Sequence, residues 1–502
     1  MGKQNSGYIL SIDQSTQGTK ALLYDAEGCL IARADQPHRQ IVNKEGWVSH
    51  DPEEIYQNVL LAVQGVVTKA GIDKGEIAGL GISNQRETSA AWDRTDGKPV
   101  ADAIVWQCSR AKEICERIGR ESGAIRISEI TGIRLSPYFP ASKFAWFLEN
   151  VDGAREKAKL GELCLGTMDS WLVYKLTGGK RFCTDYSNAS RTQLFDITRL
   201  AWDEETCGLF DIPSSCLAQV CGSDENFGET DLEGYLEKPI PIHAVLGDSH
   251  GALFGQGCLE PGMVKATYGT GSSIMMNVGT KPIFSTSGLV TSLAWGLGGT
   301  VEYVLEGNIN YTGAVISWLK DSLGLVASPG ETEELARTAN PEDRTYLVPA
   351  FSGLGAPYWD SEATAVLSGM TRTTGKAEIA KAALDSIAYQ ITDIVRIMEK
   401  DSGLPIKELR ADGGPTKNRY LMQFQSDLTG KPVQVSALEE LSGTGAAYAA
   451  GMALGIYDRG IFGRVKRSLF RPQMETAARE EKYEGWRRAV RLALSDYDDR
   501  PK

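Results

Sequence analysis

Tyr8-Ile9-Leu10-Ser11-Ile12-Asp13-Gln14-Ser15-Thr16-Gln17-Gly18-Thr19-Lys20 is an apolar run that ends at an aspartate and a turn of small polar residues. The β-branched content and the alternation predict paired strands over 8–12 and 21–25 around that turn. Two further stretches have the same character. Thr267-Tyr268-Gly269-Thr270-Gly271-Ser272-Ser273 lies mid-chain, with strands predicted over 263–267 and 273–277. Ala411-Asp412-Gly413-Gly414-Pro415-Thr416-Lys417-Asn418 feeds a helical stretch near the C-terminus. Small-residue turns let backbone N–H groups approach a phosphate. Three of them, far apart in sequence, read as a nucleotide site closed between two domains, and so as an ATP-dependent phosphotransferase.

Outward from these turns the pattern is α/β. Pro52–Ala70 reads as a helix capped by Asp51, with Glu53 and Glu54 at its positive end. Residues 77–82 and 242–246 read as buried strands, 378–400 as a long amphipathic helix, and 443–455 as a small-residue helix suited to close packing. The recurrence of strand–turn–strand units suggests two related halves, residues 1–255 and 256–502. Gly369-Met370-Thr371-Arg372-Thr373-Thr374-Gly375-Lys376-Ala377 imitates a P-loop, but has one residue too many and no Ser or Thr after the lysine.

Composition narrows the classes. With 502 residues and a net charge of −12, the chain has no basic block suited to nucleic acid. No apolar signal region or membrane-spanning run is present. The nine cysteines are scattered without a Cys-x-x-Cys pair, and four histidines form no zinc motif. The expectation is a cytoplasmic protein with no nucleic-acid or membrane partner; homo-oligomerisation is left open.

Several residues carry chemistry. Asp13, at a strand end beside a turn with Ser15, Thr16, Gly18 and Thr19, could hold Mg2+ while Lys20 reaches the phosphates; an ordinary hairpin turn is the alternative. Asp248 closes a strand, where a carboxylate can orient an alcohol and accept its proton; capping the next helix is the alternative. Arg86 and Glu87 could bind a diol as donor and acceptor, or form a surface ion pair. Trp106 and Tyr138 could wall a polyol or belong to the core. His250 reads as a packing or helix-surface residue rather than a base.

Longer motifs join these residues. Tyr138-Phe139-Pro140-Ala141-Ser142-Lys143-Phe144-Ala145-Trp146 and Ala365-Val366-Leu367-Ser368-Gly369-Met370, together with Asn84-Gln85-Arg86-Glu87-Thr88 and Ala103-Ile104-Val105-Trp106-Gln107-Cys108, resemble the FGGY carbohydrate kinases. Within that family the chain is most similar to the glycerol-kinase branch, from Tyr8 to about Ile456. The resemblance implies two actin-like domains of the ribonuclease H type with ATP and a polyol meeting between them. It implies Asp248 as general base, and Arg86, Glu87, Trp106, Tyr138, Ser249 and Ser273 around the acceptor. Asp13 would sit at the metal–phosphate end with Thr16, Gln17, Gly18 and Lys20 around the phosphates, Thr270 and Gly313 at phosphates or ribose, Gly414 and Asn418 at the adenosine.

The departures concern the acceptor. The branch usually reads Asp-Gln-Gly-Thr-Thr-Ser-Ser-Arg where Asp13-Gln14-Ser15-Thr16-Gln17-Gly18-Thr19-Lys20 stands, and the latter's end is more like xylulose kinases. Ser15 narrows the freedom of that turn relative to glycine. Ser249 replaces a glutamine, and Ser273 replaces a phenylalanine. Glycerol or a small glycerol-like polyol is the expected acceptor; a ketopentose or pentitol is the alternative. A non-catalytic actin-like sugar sensor is disfavoured because both Asp13 and Asp248 are present.

Overall fold

The computed structural model describes residues 7–120 and 123–496. Its first large sheet runs in the spatial order Asn226–Thr230, Ile240–Gly247, Ile77–Asn84, Tyr8–Gln14, Gly18–Tyr24 and Leu30–Pro37. Tyr8–Gln14 pairs antiparallel with Gly18–Tyr24 and parallel with Ile77–Asn84, which in turn lies parallel to Ile240–Gly247. The second large sheet runs Val290–Leu297, Thr300–Ile309, Ser272–Gly279, Val264–Tyr268, Leu409–Asp412, Val433–Ser436 and Arg467–Phe470. Val264–Tyr268 is antiparallel to Ser272–Gly279 and parallel to Leu409–Asp412, which is parallel to Val433–Ser436.

Both sheets thus contain one motif, an antiparallel meander extended by two parallel strands and an antiparallel edge. This is the architecture of two actin-like, ribonuclease H-like halves. Parallel neighbours need crossover connections, and helices provide them. Pro52–Ala70 links the first hairpin to Ile77–Asn84, packing Ile55, Val59, Ala62, Val63 and Val66 into the first core. Ile55, Val59, Val63 and Val66 each contribute roughly 1.5–3 kcal/mol on full burial. The helix starts where Asp51 accepts from the Glu53 and Glu54 amides, and stops at Gly71, whose φ of 65° lies in the left-handed region.

The helix Leu441–Ala453, from the second half of the chain, packs against Asp248–Gly255, from the first, and against the strand Ile77–Asn84. Its small residues permit that approach. Around this pair, Leu22, Leu246, Phe254, Met275, Trp295, Ala447 and Tyr448 form one hydrophobic cluster contributed by both halves. A third, five-stranded sheet made of Ile41–Val42, Val48–His50, Ala103–Ile104, Ser89–Asp93 and Leu163–Thr167 carries the Trp106 and Tyr138 segments beside the first sheet. Among the described residues no helix is long and apolar enough to cross a membrane.

Candidate active site

Three strands of the first sheet end together, and their last residues meet. Asp13 pairs in register with Ser83 on one side and Lys20 on the other. Ile77–Asn84 runs out into Arg86 and Glu87, and Ile240–Gly247 into Asp248. Glu87 has a positive φ of 61°, an uncommon conformation for a residue other than glycine. Backbone strain of this kind clusters at functional sites.

Asp248 is the first residue of its helix rather than its cap; Gly247 holds the cap position without a side-chain hydrogen bond. Its side chain is 38 % exposed and accepts from Arg86 Nε at 3.1 Å. Arg86 and Glu87 do not form a surface pair. Both are buried and each pairs elsewhere. Arg86 donates Nη1 and Nη2 to the two oxygens of Glu306, at 3.0 and 2.8 Å, and Nη2 also to Ser249 Oγ at 3.2 Å. Glu87 Oε1 accepts from Arg191 Nε at 2.6 Å, and Arg191 Nη1 donates to Glu306 Oε2 at 2.7 Å. The carboxylates of Glu87 and Asp248 are therefore both tied through an arginine to Glu306. Burial pulls the Arg86 pKa down, but Glu306, Glu87 and Asp248 outweigh it and hold the guanidinium charged. Burial likewise disfavours the Glu306 carboxylate, and Arg191 and Arg86 reverse the balance.

Ser273 Oγ donates to Glu306 Oε1 at 3.3 Å and accepts from the buried Lys265 Nζ at 3.3 Å. His250 is a packing residue: it is fully buried, and burial, reinforced by Arg86, keeps it neutral. Tyr138 and Trp106 form a tilted ring pair with centroids 5.3 Å apart, and Trp106 Nε1 donates to Thr16 Oγ1 at 3.0 Å. The ring wall is thus joined to the first turn. Lys143, fully buried, donates to the carbonyls of Pro137, Tyr138 and Phe139 and holds the Tyr138 segment.

Asp13 is buried and its pKa is pushed up to about 6. Burial is the main cause, opposed by Lys20 and reinforced by Glu440 and Asp248. Lys20 Nζ lies 2.6 Å from Glu440 and 3.8 Å from Asp13. Thr16, Gln17 and Gly18 make the turn above it, and Gly18 is needed because a Cβ there would come 2.7 Å from the Gln36 carbonyl oxygen.

Thr270, Gly313, Gly414 and Asn418, expected at the nucleotide, all lie on the second half. Gly313, Gly414 and Asn418 line a cavity of 520 Å³ whose walls include Ile316, Leu384, Ile387 and Leu421. A second cavity of 480 Å³ shares Gly414 and Lys417 with it. Gly313 N donates to Gly269 O at 2.9 Å and Ala314 N to Thr270 O at 3.1 Å, which holds the exposed Thr270 against the start of the helix Gly313–Ser317. The Asn418 amide is committed internally: Oδ1 accepts from Leu421 N, and Nδ2 donates to Thr332. Its contribution to the pocket is therefore shape. A larger cavity of 660 Å³, lined by Arg94, Tyr174, Phe182 and Trp202, shares no residue with either.

Residues 8–255 match the N-terminal domain, and residues 264–454 the C-terminal domain, of the FGGY family of carbohydrate kinases. The chain belongs to that family. This FGGY kinase is 48 % identical to glycerol kinase 1 of Thermotoga maritima over 97 % of its length and 100 % of the relative's. It is 46 % identical to the glycerol kinase of Symbiobacterium thermophilum, with 97 % and 99 % of the two chains covered. The crystal structure of Plasmodium falciparum glycerol kinase with ADP superposes with a TM-score of 0.92 at 36 % identity, covering 97 % and 98 % of the chains. A ligand-bound xylulose kinase from Lactobacillus acidophilus, 22 % identical, shares the fold with a TM-score of 0.85 over 97 % of each chain.

Four residues of the FGGY kinase site carried no flag in the sequence: Arg191, Glu306, Lys265 and Glu440. Glu306 had the best signal, a lone carboxylate within the apolar run Tyr303-Val304-Leu305-Glu306-Gly307. A charge in such a strand is buried only when it is paired. Arg191 and Glu440 stand in polar surroundings that give no local warning.

Proposed function

We propose that this FGGY kinase transfers the γ-phosphoryl group of ATP to a terminal hydroxyl of glycerol or a small glycerol-like polyol, with Asp248 as general base. The observation that carries this reading is the placing of Asp248. Its carboxylate is partly exposed, one oxygen is held by Arg86, and Asp13 lies near enough for the two charges to influence each other. Arg86, Glu87, Trp106, Tyr138, Ser249 and Ser273 surround the acceptor on one side. Thr16, Gln17, Gly18, Lys20, Thr270, Gly313, Gly414 and Asn418 serve the nucleotide on the other.

The chemistry follows from these positions. Asp248 accepts the hydroxyl proton as the acceptor oxygen forms its bond to the γ-phosphorus. The bond from that phosphorus to the β–γ bridging oxygen breaks, and ADP leaves. Little covalent chemistry is asked of the protein; positioning and charge do most of the work. The donor set suits Mg2+, which is commonly held by one or two carboxylates together with substrate phosphates. Asp13 is a buried carboxylate pushed up to about 6, a group that gains from a cation. Among the described residues no cluster of three or more metal ligands forms a protein-only cage. When bound, Mg2+ supplies charge neutralisation at the phosphates; Asp13 would hold it.

Residues 1–255 would carry the acceptor site and phosphate turn and 256–502 the nucleotide site, with 1–6, 121–122 and 497–502 outside the described residues. Closure of one half on the other excludes water, so the alcohol rather than water attacks. A cytoplasmic enzyme is the reading that best suits the nine free cysteines. The glycerol-kinase relatives favour glycerol; the hydroxyl of Ser273 favours a ketopentose or pentitol as the second reading. The test is kcat/KM for ATP-dependent phosphorylation of glycerol, erythritol, ribitol, xylulose, ribulose and dihydroxyacetone. Turnover with a polyol supports the kinase reading, and no ATP consumption with any of them defeats it.

A further inference from the structure

Asp13, Lys20 and Asp35 form one row across three neighbouring strands. Lys20 stands opposite Asp13 on Tyr8–Gln14 and opposite Asp35 on Leu30–Pro37. Directly opposed residues of antiparallel strands share a face, and opposite charges there attract. Register alone would give Lys20 to one of these aspartates. Neither receives it. Lys20 Nζ donates to Glu440 Oε2 at 2.6 Å and lies 3.8 Å from Asp13 Oδ2, beyond hydrogen-bond reach. Asp35 instead takes Arg33 Nε and Nη2, and Arg33 Nη1 donates to Glu440 Oε1.

The helix that follows Glu440 fixes its position. The Thr444 amide donates to the Glu440 carbonyl oxygen at 2.8 Å, and Thr444 Oγ1 lies 2.8 Å from Tyr24 Oη. Ser11 Oγ donates to the Gly443 carbonyl oxygen at 2.8 Å, and a Cβ on Gly443 would lie 3.2 Å from the Asp13 Cβ. The first turn of Leu441–Ala453 therefore rests on the strands that carry Asp13, Lys20 and Tyr24, which brings Glu440 to Lys20. Among the described residues Lys20 is the nearest cation to Asp13, so the place of its ammonium decides how open that carboxylate is. A lysine hydrogen-bonded to Asp13 would compete with a metal for the same oxygen lone pairs.

We infer that Glu440 is a positioning residue for the metal end of the site: it draws Lys20 off Asp13 and so keeps that carboxylate open to Mg2+. This rests on the proposed reading of Asp13 as the residue that holds Mg2+, and deepens it. Glu440 occupies one of the three Nζ donors of Lys20, which leaves the others for phosphate oxygens. Arg33 occupies the second oxygen of Glu440, so the glutamate is committed to two cations of the chain rather than to the metal. Asp13, Lys20 and Arg33 belong to the first half and Glu440 to the second, so this arrangement needs both halves in contact.

The test reads metal binding directly. Mn2+, in place of Mg2+, is titrated into the enzyme–ADP complex, and free Mn2+ is followed by electron paramagnetic resonance. The proteins are native, Glu440→Gln, Lys20→Met and the double variant, with ADP affinity in EDTA confirming that each is folded. In Glu440→Gln the lysine closes on Asp13, and the Mn2+ dissociation constant should rise about 10-fold or more, as is typical when a group supporting a metal ligand is lost. With Lys20→Met no amine can close on Asp13, so adding Glu440→Gln should then change Mn2+ affinity by no more than a few-fold. Mn2+ affinity in Glu440→Gln within a few-fold of native overturns the inference. So does an undiminished loss when Glu440→Gln is added to Lys20→Met, because Glu440 would then act through its own charge and not through the lysine. Absence of Mn2+ binding to the native complex overturns the metal reading of Asp13 and this inference with it, whereas the kinase reading stands or falls separately on the polyol assay.

Discussion

Arg86 and Glu306 meet as a bidentate pair across the two halves of the chain, with N–O distances of 3.0 and 2.8 Å and both side chains buried. Parallel N–H bonds to both carboxylate oxygens fix the guanidinium plane as well as its position. Because Arg191 ends on the same glutamate, one strand residue of the second half sets two arginines of the first. Glu306→Gln leaves each of those arginines with one carboxylate partner instead of two, Asp248 for Arg86 and Glu87 for Arg191. Breaking a buried pair costs about 3–5 kcal/mol, shared here between folding and acceptor binding. The expected outcome is a rise in acceptor KM with a fall in kcat, about 10²-fold or more in kcat/KM. ADP affinity by calorimetry should stay within a few-fold, and Glu306→Asp should recover part of the activity. Equal loss of ADP binding would mark Glu306 as a general structural residue.

Asp248→Asn removes the carboxylate proposed to accept the proton while keeping the shape and the Arg86 contact. Turnover should fall by ~10²–10⁴, the range for a lost general base, with ADP binding close to native. Steady-state kinetics and ADP titration on the same preparation check both halves of that statement. Turnover within a few-fold of native would take Asp248 out of the role.

The local features of the fold were legible because local physics dictates them. Pro52–Ala70 was bounded by its Asp51 cap and by hydrophobic spacing, and the structure places its ends at those residues. The two strand–turn–strand units were visible from alternation and turn chemistry, and the structure pairs each as a hairpin. Reading stopped at contacts distant in sequence. Arg86 alone looked able to pair with Glu87, its neighbour; its actual partner stands 220 residues away. The bond from Trp106 to Thr16 and the salt bridge from Lys20 to Glu440 belong to the same class. Nothing in a local window ranks one distant carboxylate over another, since the pairing is set by how the two sheets are mounted on Asp248–Gly255 and Leu441–Ala453.

Those two helices touch through glycine backbones. A Cβ on Gly445 would lie 1.8 Å from the Gly251 carbonyl oxygen, and one on Gly255 would lie 2.5 Å from the Leu441 carbonyl oxygen. Main chain cannot yield as a flexible side chain does. Gly445→Ala gains about 1 kcal/mol of helix propensity, but must push the helices apart. Overpacking costs typically 1–3 kcal/mol, occasionally more. The net outcome should be a lower urea midpoint and weakened acceptor turnover, because the same helix pair carries Asp248. A midpoint equal to or above native would mean that the helices separate freely.

Asp393 gives a pH dependence whose sign can be worked out. It is buried in the second half, where Tyr483 Oη donates at 2.6 Å, Trp486 Nε1 at 2.8 Å and Tyr358 Oη at 2.9 Å. Burial pushes its pKa up to about 6, and those three donors only partly offset the effect. The folded chain therefore binds this proton more tightly than the unfolded chain. Between about pH 4 and 6 the folded state holds more protons, so stability from this group falls as pH rises. A shift of about two units corresponds to roughly 3 kcal/mol at most. Asp393→Asn cannot ionise and lacks that slope. Urea midpoints of both proteins from pH 4 to 7 should therefore show native stability declining relative to the variant up to about pH 6, then running level. A difference that grows in favour of the native protein as pH rises would mean that the three hydrogen bonds outweigh burial and hold the carboxylate ionised.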